Sequence, residues 1–168
     1  MNVRPETPAD ADAIRRVTME AFRDHPHSDQ TEHLIMDRLR DSGGLSLSLI
    51  AEAAGAVVGH VAFSPVLISD GTKDWFGLGP LSVLPSHQRQ GFGRMLVEAG
   101  LRDLSRQGAA GCVVMGDPNY YGKFGFKSDP RLVLADCAPQ YFLAQPLSFN
   151  HASGMVTYHA AFYGGADG

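Results

Sequence analysis

The sequence has little cysteine, no long apolar run and no excess of positive charge, and each shortage excludes a class of protein. Cys112 and Cys137 are the only cysteines in 168 residues. They lie far apart with no CxxC and no neighbouring Cys/His cluster, so neither a disulfide framework nor a structural zinc site is expected. A reducing compartment, the cytoplasm, follows as the expected location. No apolar stretch approaches the roughly 20 residues that span a bilayer, and the opening run MNVRPETPADADAIRR mixes acids with bases and lacks an apolar signal core. A membrane is not an expected partner. With 14 Lys+Arg against 18 Asp+Glu the formal net charge is -4, which argues against a protein held chiefly by nucleic-acid phosphates. His25, His27 and His33 crowd one junction around a proline, a pattern of surface or cleft histidines, and no metal is expected.

What is present is 44% apolar residues and 19 glycines, enough to bury a core of useful size in one domain over 1–168. A short extended piece at 2–4 precedes Thr7-Pro8-Ala9-Asp10, an N-cap, N1 proline and first-turn acid, so a helix is expected from about Pro8. Ile14, Val17, Ala21 and Phe22 recur at helical spacing and carry it to about Asp24. His25-Pro26-His27-Ser28 breaks it, and Leu34, Ile35 and Leu39 predict a second helix stopped by Ser42-Gly43-Gly44. The pattern then turns strand-like. Runs at 45–52 and 56–64 around Ala53-Ala54-Gly55 read as a hairpin. A third run at 75–83 contains Gly77, Gly79 and Pro80, poor strand formers that predict a bulge or splayed edge where another backbone or a ligand approaches. The clearest helix spans 91–107, with Met95, Leu96, Ala99 and Leu104 in period and Gly108 as its stop. A buried strand at 112–115, a short helix at 119–124, late strands at 132–134 and 155–159 and a frayed tail at 164–168 complete a mixed α+β or α/β domain.

The chemistry concentrates between Leu78 and Arg94, where a strand joins a helix through a loop with glycines at 91 and 93. Such a junction leaves backbone N–H groups unpaired at the positive end of a helix dipole, a seat for phosphate or pyrophosphate. Glycine lets a ligand approach the backbone closely, and Arg89 and Arg94 add charge at the rim. The same two glycines also read as plain helix packing. The GxxxxGK[ST] loop is absent, and Gly91-Phe92-Gly93 lacks the third glycine of the dinucleotide fingerprint.

The run Leu81-x-Val83-x-Pro85-x-x-Gln88-x-x-Gly91-x-Gly93, opening an amphipathic helix, resembles the acyl-CoA motif Gln/Arg-x-x-Gly-x-Gly/Ala of the GCN5-related N-acetyltransferases (GNAT). Tyr121-Gly122-Lys123-Phe124-Gly125-Phe126 resembles that superfamily's Tyr-x-x-x-Gly-Phe segment, so the resemblance covers about 1–135. It implies a central, mostly antiparallel sheet splayed between the fourth and fifth strands and flanked by helices. The pantetheine arm would pair with Leu81, Ser82 and Val83, Gln88 would be a further cofactor-binding residue, and the pyrophosphate would rest on amides of Arg89, Gln90, Gly91, Phe92, Gly93 and Arg94. The N–H of Leu81 would polarise the thioester carbonyl. Asn119 resembles the asparagine that contacts pantetheine, although it stands closer to Tyr121 than is usual, and Asp117-Pro118 also reads as the turn that starts a helix.

The implied reaction is direct attack of a primary amine, on a small molecule or a protein, on acetyl-CoA as cosubstrate. Tyr121 would protonate the leaving sulfur, a role suited to a phenol that is neutral at pH 7; its other reading is a core aromatic beside Tyr120, Phe124 and Phe126. The strand at 75–83 carries no carboxylate, so Asp74, Glu20 and His87 are the candidates for general base, with bulk solvent as the alternative. The acceptor, still unidentified, is expected between 22–39 and 139–162, the latter holding Tyr141, Phe142, Tyr158 and Phe162. A monomer or homodimer without nucleic acid is expected. The competing functions are an acyl-CoA-binding sensor of the same fold that has lost turnover, and an unrelated anion-binding fold.

Overall fold

The computed structural model describes residues 2–26, 28–149 and 151–164. His27 and the tail 165–168, for which fraying was expected, lie outside the described residues. The chain starts with β1 (Asn2–Pro5) and enters α1 (Ala11–Phe22) through a 3-10 turn at Pro8–Asp10. Asp10 explains the entry: its carboxylate accepts from the Thr7 N–H at 2.7 Å and the Thr7 hydroxyl at 3.1 Å. The Arg4 guanidinium grips the same carboxylate at 2.8 and 3.0 Å and reaches Glu52 at 2.9 Å, so strand and helix entrance are clasped together. The helix ends at Phe22, two residues short of the expected Asp24. α2 (Glu32–Ser42) stops at Gly43, whose φ of +73° suits only glycine comfortably. Just beyond it, a Cβ at Gly44 would stand 2.7 Å from the His159 ring, so the end of α2 sits directly on the C-terminal segment.

The expected hairpin is β2 (Leu47–Ala53) and β3 (Ala56–Pro65), followed by β4 (Leu67–Ile68), β5 (Trp75–Val83), α3 (Phe92–Arg106) and β6 (Gly111–Met115). The chain continues through α4 (Pro118–Tyr121), prolonged by a 3-10 turn at Gly122–Phe124, to β7 (Lys127–Ser128) and β8 (Leu132–Leu134). β9 (Phe142–Pro146) and β10 (Gly154–Thr157) close the fold. The late strand stops at Thr157 rather than His159, because His159 Nδ1 accepts the Ala161 N–H at 3.0 Å and starts a 3-10 turn instead. β9 escapes sequence reading altogether. Phe142, Leu143 and Ala144 are all buried, so it shows no alternation.

Seven strands form the main sheet in the order β1-β2-β3-β5-β6-β9-β7, and β4-β10-β8 form a second, smaller one. Within the main sheet only β5 and β6 run parallel. α3 covers one face, where Leu96, Val97 and Leu104 pack with Phe63, Leu78 and Val114. On the other face α1 and α2 lay Ile14, Val17, Met36 and Leu39 over Ile50 and Ala62. The small sheet covers the rest of that face, enclosing Trp75, Val113 and Phe142.

Candidate active site

β5 changes partner halfway along. It pairs with β6 only through Trp75↔Gly111, Phe76↔Cys112 and Gly77↔Val113. Beyond Gly77 the two strands separate, while β5 keeps its antiparallel partner β3 through Leu81↔Val61, Ser82↔His60 and Val83↔Gly59. Between Phe63↔Leu78 and Val61↔Leu81 one residue of β3 opposes two of β5, a bulge at Gly79 and Pro80, and Gly79 takes φ +147°. The poor strand formers flagged in the sequence therefore mark the place where the sheet opens. The upper edge of β5 faces a wedge-shaped gap with backbone groups available for an extended ligand to pair with.

The wedge leads to the head of α3. Gly91 caps the helix at φ +91°, and Met95 N–H makes the first helical bond to its carbonyl at 3.0 Å, which leaves the N–H groups of Phe92, Gly93 and Arg94 directed out of the helix. A Cβ at Gly91 would meet nothing within 4 Å, so the space before it is open. Arg89 also adopts a left-handed backbone, φ +63°. The loop holds itself in shape through two carboxamides: Gln88 Nε2 donates to the Val83 carbonyl at 3.1 Å and Gln90 Nε2 to the Ser86 carbonyl at 3.2 Å. Phe92 is buried, Arg89 is exposed, and Arg94 bonds Glu98 at 3.0 Å on the helix surface. Gly93 has a separate reason to be glycine. A Cβ there would lie 2.6 Å from Tyr120 Oη, so this hydroxyl stands over the first turn of α3. Tyr120 was treated in the sequence only as an aromatic neighbour.

Tyr121 is carried by α4, which follows β6 and whose Asp117 cap accepts the Asn119 N–H at 2.9 Å. Its ring stands edge-on to Tyr120 and Phe126, with centroids 5.0 and 6.0 Å away, and covers Gly116 at the end of β6. Burial pushes its phenol well above the ordinary value, aided by the neighbouring Tyr120 phenol and Cys112 thiol. The group stays protonated, as a donor must. Leu81 and Val83 are half-buried on the stretch of β5 that β6 leaves unpaired, Ser82 is buried, and Asn119 on α4 is exposed.

The three base candidates are not brought together. Asp74 precedes β5, its carbonyl accepting the Ala110 N–H at 2.7 Å, and seven residues of strand put it on the order of 20 Å from Leu81. His87 lies past the other end, bonded to Ser86 Oγ at 2.8 Å with its ring 5.7 Å from that of Phe92. Glu20 is half-buried on α1, the helix packed on β3 and β5. Among the described residues no group of three or more His, Cys, Asp or Glu could hold a metal ion, and no helix is long and apolar enough to cross a membrane.

Residues 11–126, which contain the wedge, the loop and the tyrosine segment, match the family model described as the acetyltransferase (GNAT) family. The chain belongs to the GNAT family. It is 36% identical over 169 residues to the N-acetyltransferase YhbS of Escherichia coli K12, covering 96% of this chain and 98% of that one. A GNAT-family acetyltransferase of Brucella melitensis, solved in complex with acetyl-CoA, shares 46% identity with a TM-score of 0.86, over 96% of this chain and 97% of its own. The crystal structure of E. coli YhbS in complex with CoA gives a TM-score of 0.87 at 33% identity, over 96% and 91% of the two chains. The expected mostly antiparallel sheet flanked by helices is the fold observed, and the GNAT chain described here is an N-acetyltransferase.

Proposed function

We propose that this acetyl-CoA-dependent N-acetyltransferase holds its donor in the wedge between β5 and β6 and transfers the acetyl group directly to an amine. The observation that carries the assignment of residues is the open edge of β5 ending at the unpaired N–H groups of α3. Pyrophosphate is seated on the amides of 89–94, where the helix dipole and several N–H groups converge on one anion. The pantetheine lies along Leu81, Ser82 and Val83 as an added strand, its polar groups replacing the backbone partners that β6 withdraws. Asn119 flanks it from α4.

In the reaction the lone pair of a neutral amine attacks the thioester carbon. A C–N bond forms, the C–S bond breaks, the thiolate takes a proton and the nitrogen releases one. The Leu81 N–H stabilises the negative charge that develops on the carbonyl oxygen, and Tyr121 Oη delivers the proton to sulfur. Of the base candidates, Glu20 is retained, acting through water, because Asp74 and His87 stand beyond the two ends of the wedge. The acceptor is a primary amine of a small molecule or protein. The same reading places the enzyme in the cytoplasm as a monomer or homodimer that does not act on nucleic acid.

Calorimetric titration of the protein with acetyl-CoA and with CoA tests the donor site without knowledge of the acceptor. Micromolar binding of both, followed by amine-dependent thiol release in a screen of amines, is the expected result. Binding without thiol release for any amine would favour the sensor reading, and no binding would remove the wedge as a donor site.

A further inference from the structure

Tyr120, the neighbour of the tyrosine assigned above as proton donor, takes no part in the donor site as so far assembled. Its ring stands edge-on to those of Tyr121 and Phe124, with centroids 5.0 and 5.4 Å away. That packing accounts for an aromatic side chain, and phenylalanine would supply it equally. The hydroxyl is left over. It makes no hydrogen bond among the described residues, and it is not enclosed as the partnerless hydroxyls of Ser64, Ser82 and Tyr158 are, so it is within reach of solvent and of a ligand. Burial of the ring raises its phenol above the ordinary value, which keeps the group a neutral O–H donor.

Two neighbours fix where that hydroxyl stands. A Cβ at Gly93 would lie 2.6 Å from Tyr120 Oη and 3.8 Å from Val83 Cγ2. Gly93 is the second residue of α3 and Val83 the last of β5, so a side chain carried by α4 meets the joint between the two. A helical Cβ leans toward the helix N-terminus, the end at which the N–H groups of Phe92, Gly93 and Arg94 emerge. Covalent geometry then sets the hydroxyl within about 5 Å of the Gly93 nitrogen. One phosphate oxygen can accept from both groups, through an N–H···O bond of about 2.9 Å and an O–H···O bond of about 2.7 Å. The backbone of Gly93 is ordinary helix, so its conformation does not call for glycine, whereas room for the hydroxyl does.

Resting on the donor site proposed above, we infer that Tyr120 is a further donor-binding residue. Its hydroxyl donates a hydrogen bond to the pyrophosphate where the pantetheine arm passes from Val83 to the amides of α3, and Gly93 is glycine to leave that hydroxyl its place. The donor is thereby held from α4 as well as from α3. The grip on phosphate and the proton donor Tyr121 sit on consecutive residues.

The test is a cycle of Tyr120→Phe, Gly93→Ala and the double variant, read by calorimetric titration with CoA and acetyl-CoA, with thermal unfolding of each protein alongside. Tyr120→Phe keeps the ring and its packing, so it should weaken CoA and acetyl-CoA alike by about tenfold, the effect of one hydrogen bond to a charged group, and leave the unfolding midpoint of the free protein unchanged. Gly93→Ala pushes the hydroxyl from its place and should weaken both ligands by a similar factor. In the Tyr120→Phe background the same alanine should add little, because its methyl then meets only the ring carbon Cζ, 3.9 Å away. The nucleotide half of CoA, which keeps the diphosphate and lacks the pantetheine, should lose the same factor in Tyr120→Phe when titrated in competition with CoA. Unchanged CoA affinity in Tyr120→Phe overturns the inference, as does wild-type affinity in the double variant, the mark of a steric clash alone. A loss confined to whole CoA and absent from its nucleotide half overturns the assignment to phosphate. If Gly93→Ala does not fold, the titrations of Tyr120→Phe decide. Failure of the donor site itself reads differently, as absence of binding by CoA and acetyl-CoA alike in the wild type.

Discussion

The two halves of β5 are one strand of nine residues put to opposite uses. From Trp75 to Gly77 it is bonded on both edges and buried between α3 on one side and the small sheet on the other, an ordinary central strand. From Leu78 onward one edge is released and a bulge interrupts the ladder, and this is the stretch proposed above to hold the donor. The contrast shows how a fold can contain an unpaired strand edge in its interior: the lower rungs hold the sheet together, so the upper ones can wait for a ligand to complete them.

Substitutions can break the two halves separately. The largest effect is expected at the foot. Trp75→Ala removes a side chain that is 2% exposed and should lower stability by about 3–5 kcal/mol, read as a shift of the denaturant midpoint, with CoA affinity of the folded fraction unchanged. An equal loss of CoA affinity would mean that the halves are not independent. In the upper half, Tyr121→Phe should reduce turnover about 100-fold, within the usual range for a proton donor, while CoA binds as before. Full activity would make Tyr121 a core aromatic only. Its raised phenol also predicts that activity does not fall near pH 10 through ionisation of this group, since the neutral form persists above the ordinary value. Third, Arg94→Pro deletes an N–H that the helix itself does not use, at a position where proline is tolerated. It should weaken CoA about tenfold beyond the effect of Arg94→Ala, the cost of one charge-assisted bond, and equality of the two variants would remove that amide from the phosphate seat.

The last prediction concerns His60, the residue across from Ser82. It is fully buried, its Nε2 lies 2.7 Å from Ser48 Oγ, and burial, aided by the nearby Arg40, lowers its value to about 3. Below the ordinary histidine value near 6.5 the unfolded chain takes up a proton that the folded one refuses, so stability falls as pH drops from about 6.5 toward 3, by at most about 1.4 kcal/mol per unit. His60→Leu should flatten the stability profile between pH 6.5 and 5, above the range where the Asp10 carboxylate, held low by Arg4, begins to protonate. An unchanged slope would assign the acid sensitivity to other histidines.

What could be read from sequence follows from range. The loop at 84–91 and the helix after it announce themselves because caps, glycines and period are local, and Tyr121 is found through a six-residue motif. Gly77, Gly79 and Pro80 were legible as a disturbance of a strand, though not as the rung where β6 departs. β9 was missed because its first three residues are all buried and it ends in proline, so it has no alternation to show. Ser64 and Tyr158 meet at Gly77 only through register and the docking of β10, which no local spacing encodes. Tyr120 could have been found from Gly93, because a glycine inside the first turn of a helix, at an ordinary backbone angle, suggests that something presses on it.

The seating of α2 on the C-terminal segment has a mechanical consequence. Gly44 lies against the His159 ring and Ser42 Oγ is 3.4 Å from its Nε2, so a displacement of α2 that preserves this contact carries His159 with it. The next residue back along the chain is Tyr158. Its ring lies against Gly77, so the end of α2 and the paired foot of β5 are joined across a single peptide bond.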